Sequence, residues 1–122
     1  MEPENTETFC PPMDYETALE RVGMDRAFLI ELIDLFNREF PVSMLKIREA
    51  LAGRDFASVR ALAHSLKGSS ASLSFHGLRQ ISHQLESAGE REDRQAAEKL
   101  LAVLQEEFRH VNKYLAEKRI SA

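Results

Sequence analysis

The sequence predicts an all-α fold: an antiparallel up-down-up-down four-helix bundle with a short N-terminal capping helix. Three observations lead there. Apolar residues recur at helical spacing through four long stretches, beginning near Phe28, Val59, Leu78 and Ala97. The intervals between these stretches are short, and short connections favour antiparallel neighbours. Tryptophan is absent, and the 122 residues hold only 5 glycines and 4 prolines, a composition that favours helices over a sandwich or barrel.

Residues 1–12 are acidic, polar and broken by Pro3, Pro11 and Pro12, and they read as a disordered leader; residues 13–118 read as the bundle and 119–122 as a frayed end. Asp14 can cap a short helix running to about Val22, with Leu19 and Val22 as apolar anchors and Gly23 as its stop. This piece is expected to lie over one end of the bundle. Asp25 can cap the next helix, which carries Phe28, Leu29, Leu32, Ile33, Phe36 and Phe40. Pro41 removes a backbone donor, yet the periodicity resumes with Met44, Leu45, Ile47, Ala50 and Leu51, so one long kinked helix ending at Gly53 is predicted.

Asp55 caps a helix reaching about Ser72, followed by a loop over 73–77 in which Ser74 is a candidate cap. A helix from His76 to Ala88 presents Leu78, Ile81, Leu85 and Ala88 on one face, with Gly89 past its end. Residues 90–93 are all charged and form a connection. The last helix, Arg94 to Glu117, carries Ala97, Leu100, Leu101, Leu104, Phe108, Val111 and Leu115 inward. There are no internal repeats and no low-complexity tracts.

Length bounds the chain to one domain with a moderate core. The net charge is −4 and the basic residues are dispersed, which argues against nucleic-acid binding. A single Cys10 rules out an internal disulfide framework and fits a reducing compartment. No apolar run approaches a membrane span, and Met1-Glu2-Pro3-Glu4 lacks the features of a signal peptide. A cytoplasmic monomer without membrane contact is the expectation.

The chemistry concentrates in Ala63-His64-Ser65-Leu66-Lys67-Gly68-Ser69-Ser70. On a helix, Val59, Leu62, Ala63, Leu66 and Ser70 share the core-facing sector, while Arg60, His64, Lys67 and Gly68 fall away from it. An imidazole then faces solvent, with Arg60 one turn before it, Lys67 one turn after it, and no side chain at position 68. A neutral imidazole is abundant near its ordinary pKa of about 6.5 and can attack phosphorus without a dedicated base. Lys67 can neutralise phosphoryl oxygens, and Arg60 is a weaker candidate on the same face. Gly68 clears the approach, and Ser69 is a candidate hydrogen-bond donor to the phosphoryl group. Ser69 and Ser70 also read as helix-packing residues.

This run, Ala-His-Ser-Leu-Lys-Gly-Ser-Ser, resembles the signature of histidine-containing phosphotransfer (HPt) domains, the relay modules of multistep phosphorelays. The resemblance continues without a gap through Leu73, Leu78, Leu85 and Glu86 and upstream through Phe36, the 45–51 segment, Gly53-Arg54-Asp55 and Leu62, about residues 14–117 in all. One departure is Ser74-Phe75, where many members carry a glycine; it bears on turn geometry more than on chemistry.

The resemblance implies that His64 accepts a phosphoryl group from a receiver-domain aspartyl phosphate and passes it to another receiver aspartate. The implied partners are response-regulator receivers or a hybrid sensor histidine kinase. It implies no cofactor on this chain, any divalent metal belonging to the receiver. It also places an acceptor, Gln or Glu, at position 86 to hold the Nδ1–H of His64 and leave Nε2 free. Sequence alone does not decide between Glu86 and Gln84, which occupy opposite rims of their helix.

The remaining histidines are His76, His83 and His110. Glu107-x-x-His110 has the spacing of half a di-iron carboxylate site, but no second Glu-x-x-His occurs, so no metal centre is expected. There is no Walker A sequence, glycine-rich nucleotide loop or nucleophile elbow, so the chain is expected to act as a phosphotransfer intermediate without autokinase activity. The reading from a different class is a non-catalytic helical adaptor with an incidental surface histidine.

Overall fold

The computed structural model describes residues 11–120. They form five helices and no strand: α1 (Tyr15–Arg21), α2 (Arg26–Ala52), α3 (Phe56–Ser72), α4 (His76–Glu90) and α5 (Arg94–Glu117). Four of the five begin on an aspartate whose carboxylate accepts a backbone N–H three residues on: Asp14 from Thr17, Asp25 from Phe28, Asp55 from Ser58 and Asp93 from Ala96. The Thr17 and Ser58 hydroxyls add bonds of 2.7 Å, and they hold the Asp14 and Asp55 carboxyls below the usual carboxylate range. The fifth helix differs from expectation. Ser74 does not cap α4; Phe75 occupies the N-cap without a side-chain bond, and Ser74 is buried with a φ of 58°.

That positive φ belongs to a repeated turn. Helices α2, α3 and α4 each close with a six-residue backbone hydrogen bond, from Asp55 to Ala50, Phe75 to Ser70 and Asp93 to Ala88. The left-handed residue in each is Arg54, Ser74 or Glu92, none of them glycine. Gly53 ends α2 as expected, as its C-cap with φ −90°, one position before the left-handed residue. Gly89, expected beyond α4, lies inside it for another reason. A Cβ there would come within 3.0 Å of the Arg60 backbone nitrogen, so the missing side chain lets α3 and α4 approach closely.

Helix α2 is continuous through Pro41, which is exposed. Its buried line is Leu29, Ile33, Phe36, Phe40, Met44, Ile47 and Leu51, whereas Phe28 and Leu45 face outward at 45% and 56% exposure. The 28-to-51 apolar pattern therefore serves two faces, a core and an open surface. Phe40 stacks on Phe108 of α5 at 3.8 Å between centroids, and Phe36 meets Phe75 at 5.1 Å, which ties α2 to α5 and to the start of α4.

The expected leader and frayed end fall mostly outside the described residues, which exclude 1–10 and 121–122. Pro12 and Met13 are buried, and the Asp14 N–H donates to the Ser74 carbonyl. Helix α1 is further tied to the end of α3 by Arg21, whose guanidinium donates to the carbonyls of Ala71 and Ser72. Ile120, placed by sequence in the frayed tail, is 4% exposed and its N–H donates to Leu115. No helix among the described residues is long and apolar enough to cross a membrane.

One buried polar residue has no role in the sequence pattern. Glu107 lies on the inward face of α5, with Oε1 3.4 Å from His110 Nδ1 and Oε2 without a hydrogen-bond partner among the described residues. Burial pushes its carboxyl above the usual carboxylate range, against the opposing pull of His110. The folded chain thus holds this proton more tightly than the unfolded chain. Ionisation of Glu107 therefore adds no cost at low pH, and that cost grows as pH rises through the raised pKa. Glu107→Gln should raise stability by up to about 1 kcal/mol at pH near 8, the scale of one poorly satisfied buried group. The difference should shrink on acidification. Paired thermal melts across pH check this, and a gap that widens in acid would contradict it.

Candidate functional site

Helix α3 buries Phe56, Val59, Ala63, Leu66 and Ser70, which turns His64 outward. Its side chain is 68% exposed. Helix α4 buries Leu78, Ile81, Ser82, Leu85 and Ala88, which leaves Glu86 on the rim beside α3, with its side chain 16% exposed. The two helices meet in opposite register: Arg60 against Gly89, His64 against Glu86, Lys67 against His83. The close approach at Gly89 is one turn from Glu86 and brings the carboxylate within reach of the imidazole.

Glu86 Oε2 lies 3.0 Å from His64 Nδ1, and Oε1 lies 2.8 Å from Lys67 Nζ. A carboxylate only accepts, so in the neutral ring the proton sits on Nδ1 and Nε2 keeps its lone pair. The Lys67 ammonium foremost, with His64 helping, holds the Glu86 carboxyl below the usual carboxylate range although partial burial opposes this. Glu86 therefore stays an anion through the neutral pH range. The Lys67 contact is a short ion pair.

Gly68 is exposed, and a Cβ placed there would have nothing within 4 Å. The space is open, and helix packing does not explain the glycine. Ser70 is fully buried between helices, whereas Ser69 is exposed and lines a cleft between α2 and α3 with Phe36, Glu39, Leu62 and Ser65. No hydrogen bond or ion pair joins Arg60, Ser69 or Gln84 to the cluster among the described residues; Gln84 is exposed on the other rim. So the structure brings together His64, Lys67 and Glu86 of the candidates and leaves the other side chains apart.

It adds one residue that sequence reading passed over. His83 Nδ1 is 3.5 Å from Lys67 Nζ and 3.9 Å from Glu86 Oε1. The available signal was its spacing, one turn before Glu86 on the same rim of α4. Elsewhere, on α5, Glu107 and His110 pair with each other, apart from this cluster.

No curated protein and no solved structure matches the chain. A family model for the Hpt domain matches residues 31–114, a span that takes in His64, Lys67, Gly68, His83 and Glu86. With most of its length inside that match, the chain belongs to the Hpt domain family, the histidine phosphotransfer modules of phosphorelay signalling.

Proposed function

We propose that this Hpt domain relays phosphate through His64 Nε2, taking it from the aspartyl phosphate of one receiver domain and giving it to the aspartate of another. The observation that carries the reading is the exposed His64 imidazole with Nδ1 held 3.0 Å from Glu86. In the forward step the Nε2 lone pair attacks phosphorus, the N–P bond forms, and the P–O bond to the aspartate breaks. The aspartate leaves as a carboxylate. The proton on Nδ1 stays in place, so the phosphorylated ring is cationic and the Glu86 carboxylate stabilises it. No proton has to leave the site, and the reverse step needs only another aspartate. Lys67 neutralises the phosphoryl oxygens as charge gathers on them.

We infer an antiparallel four-helix arrangement of α2 to α5 with α1 as a cap, the α3–α4 register and the α2–α5 aromatic stack being its supports. The receiver docks over α2 and α3. Phe28, Leu35, Val42 and Leu45 of α2 are exposed, and the cleft carrying Ser65 and Ser69 adjoins the helix of His64. The test is incubation of the chain with a phosphorylated receiver. Transfer should yield acid-labile, base-stable phosphate on this chain, and ATP alone should leave it unlabelled. Failure to take phosphate from every receiver of the source organism would favour the adaptor reading.

Gly68 provides a sharper check on access. Gly68→Gln replaces a poor helix former with a good one in open space, so stability should hold or rise by up to about 1 kcal/mol. Phosphotransfer should slow, because the new side chain stands one turn from the imidazole on the approach side. A wild-type rate in a kinetic comparison with one receiver would remove steric clearance as the glycine's role.

A further inference from the structure

Lys67 is the cation that the transfer requires, yet at rest a carboxylate already claims it. Glu86 Oε1 lies 2.8 Å from its ammonium, so this contact occupies one side of the cation. A second partner is His83, whose Nδ1 lies 3.5 Å from Lys67 Nζ, at the long end of hydrogen bonding. His83 reaches across from α4, is 60% exposed on its side chain, and contributes nothing to the buried core.

We propose that His83 is a positioning residue for phosphotransfer: its Nδ1 accepts a hydrogen bond from the Lys67 ammonium and keeps that cation beside His64. An ammonium has three donors. With one on His83 and its charge shared with Glu86, it retains donor capacity for a phosphoryl oxygen. In this arrangement Nδ1 accepts from the Lys67 ammonium, so His83 carries its proton on Nε2. An imidazole also suits the place for a second reason. It holds the ammonium without adding negative charge where phosphoryl oxygens must come, as a second carboxylate would.

The inference rests on the phosphotransfer reading, and the experiment separates the two. Nitrogen NMR of the unphosphorylated chain, in the alkaline range where histidine is neutral, should show His83 as the Nε2–H tautomer. Lys67→Met should release that preference. A protonated Nδ1 in the wild type, or no response to Lys67→Met, overturns the proposal whether or not phosphate is transferred. In transfer kinetics with one receiver, His83→Ala should be slower by roughly two- to tenfold, the worth of one hydrogen bond.

His83→Asn places an amide oxygen where Nδ1 stood and should recover the rate. His83→Gln reaches to the Nε2 position and should not. A wild-type rate for His83→Ala, or equal behaviour of Asn and Gln, overturns the proposal. If the wild-type chain accepts no phosphate at all, the relay reading fails instead, and the tautomer measurement still decides whether His83 holds Lys67.

Discussion

Replacing His64 with glutamine is expected to abolish phosphate acceptance and leave the fold intact. The reasons lie in different parts of the structure. Chemically, an amide nitrogen has no lone pair basic enough to displace an aspartate from phosphorus, and glutamine supplies no other nucleophile. Structurally, the His64 side chain is 68% exposed, and the core side of α3 is built by Val59, Ala63 and Leu66. Substitutions at such exposed positions usually move stability by within about 0.5 kcal/mol. The His64–Glu86 pair that the substitution breaks is open to solvent on the His64 side, and such exposed pairs are worth about 0–1 kcal/mol. Helical content and melting temperature should therefore stay close to wild type, while labelling from a phosphorylated receiver disappears. Residual labelling of the variant would place the phosphate on another residue. A large drop in melting temperature would mean that His64 carries packing.

The second large effect is expected at Glu86. Removing it in Glu86→Ala takes away the acceptor for the Nδ1–H and the counter-charge to Lys67 together. The nucleophile survives, so transfer should continue, but the ring then samples the other tautomer and other rotamers. The phosphorylated, cationic ring also loses its stabilising anion. Acid–base and orienting effects contribute about 10²–10⁴-fold in enzymes, and a loss of about tenfold is expected here because Glu86 exchanges no proton. Glu86→Gln separates the two contributions. Its amide oxygen can still accept from Nδ1–H, so a rate between those of wild type and the alanine variant assigns the remainder to charge. Gln84→Ala, on the opposite exposed rim, is the matched control and should leave the rate unchanged. Receiver kinetics on the three variants read this directly, and a normal rate for Glu86→Ala beside a slow Gln84→Ala would reverse the assignment.

Much of the helical order was legible because it is written locally. Asp14, Asp25 and Asp55 announce helix starts through their own side chains, and the core positions of α3 follow from its period alone. What was misread depends on partners distant in sequence. Gly89 looks like a stop because a glycine near a helix end usually is one, but its role comes from the Arg60 backbone lying against it. In the turns that close α2, α3 and α4 the residues that take left-handed φ are Arg54, Ser74 and Glu92, whose side chains give no such signal. Leu45 and Phe28 fit the helical period yet face outward, because the period gives a direction without saying which neighbour covers it.

The site divides in the same way. His64, Lys67 and Gly68 lie within five residues on one helix, so their shared face could be read from spacing. The choice of Glu86 over Gln84, and the presence of His83, depend on how α4 registers against α3. That register is set by interlocking residues on both helices, Gly89 among them, and no single periodicity contains it. Glu107 was visible only as part of a metal-like spacing. Its burial without a full set of partners emerges once α5 packs against the core.

In the proposed relay His64 carries the phosphate on Nε2, while its Nδ1 keeps its proton and donates a hydrogen bond to Glu86. Phosphorus–nitrogen NMR on the histidine-labelled chain, phosphorylated by a receiver, tests it most directly. Phosphorus should couple to Nε2 of His64, with Nδ1 still protonated and its signal altered in Glu86→Ala. Phosphate on Nδ1, on another histidine or on a carboxylate would contradict it.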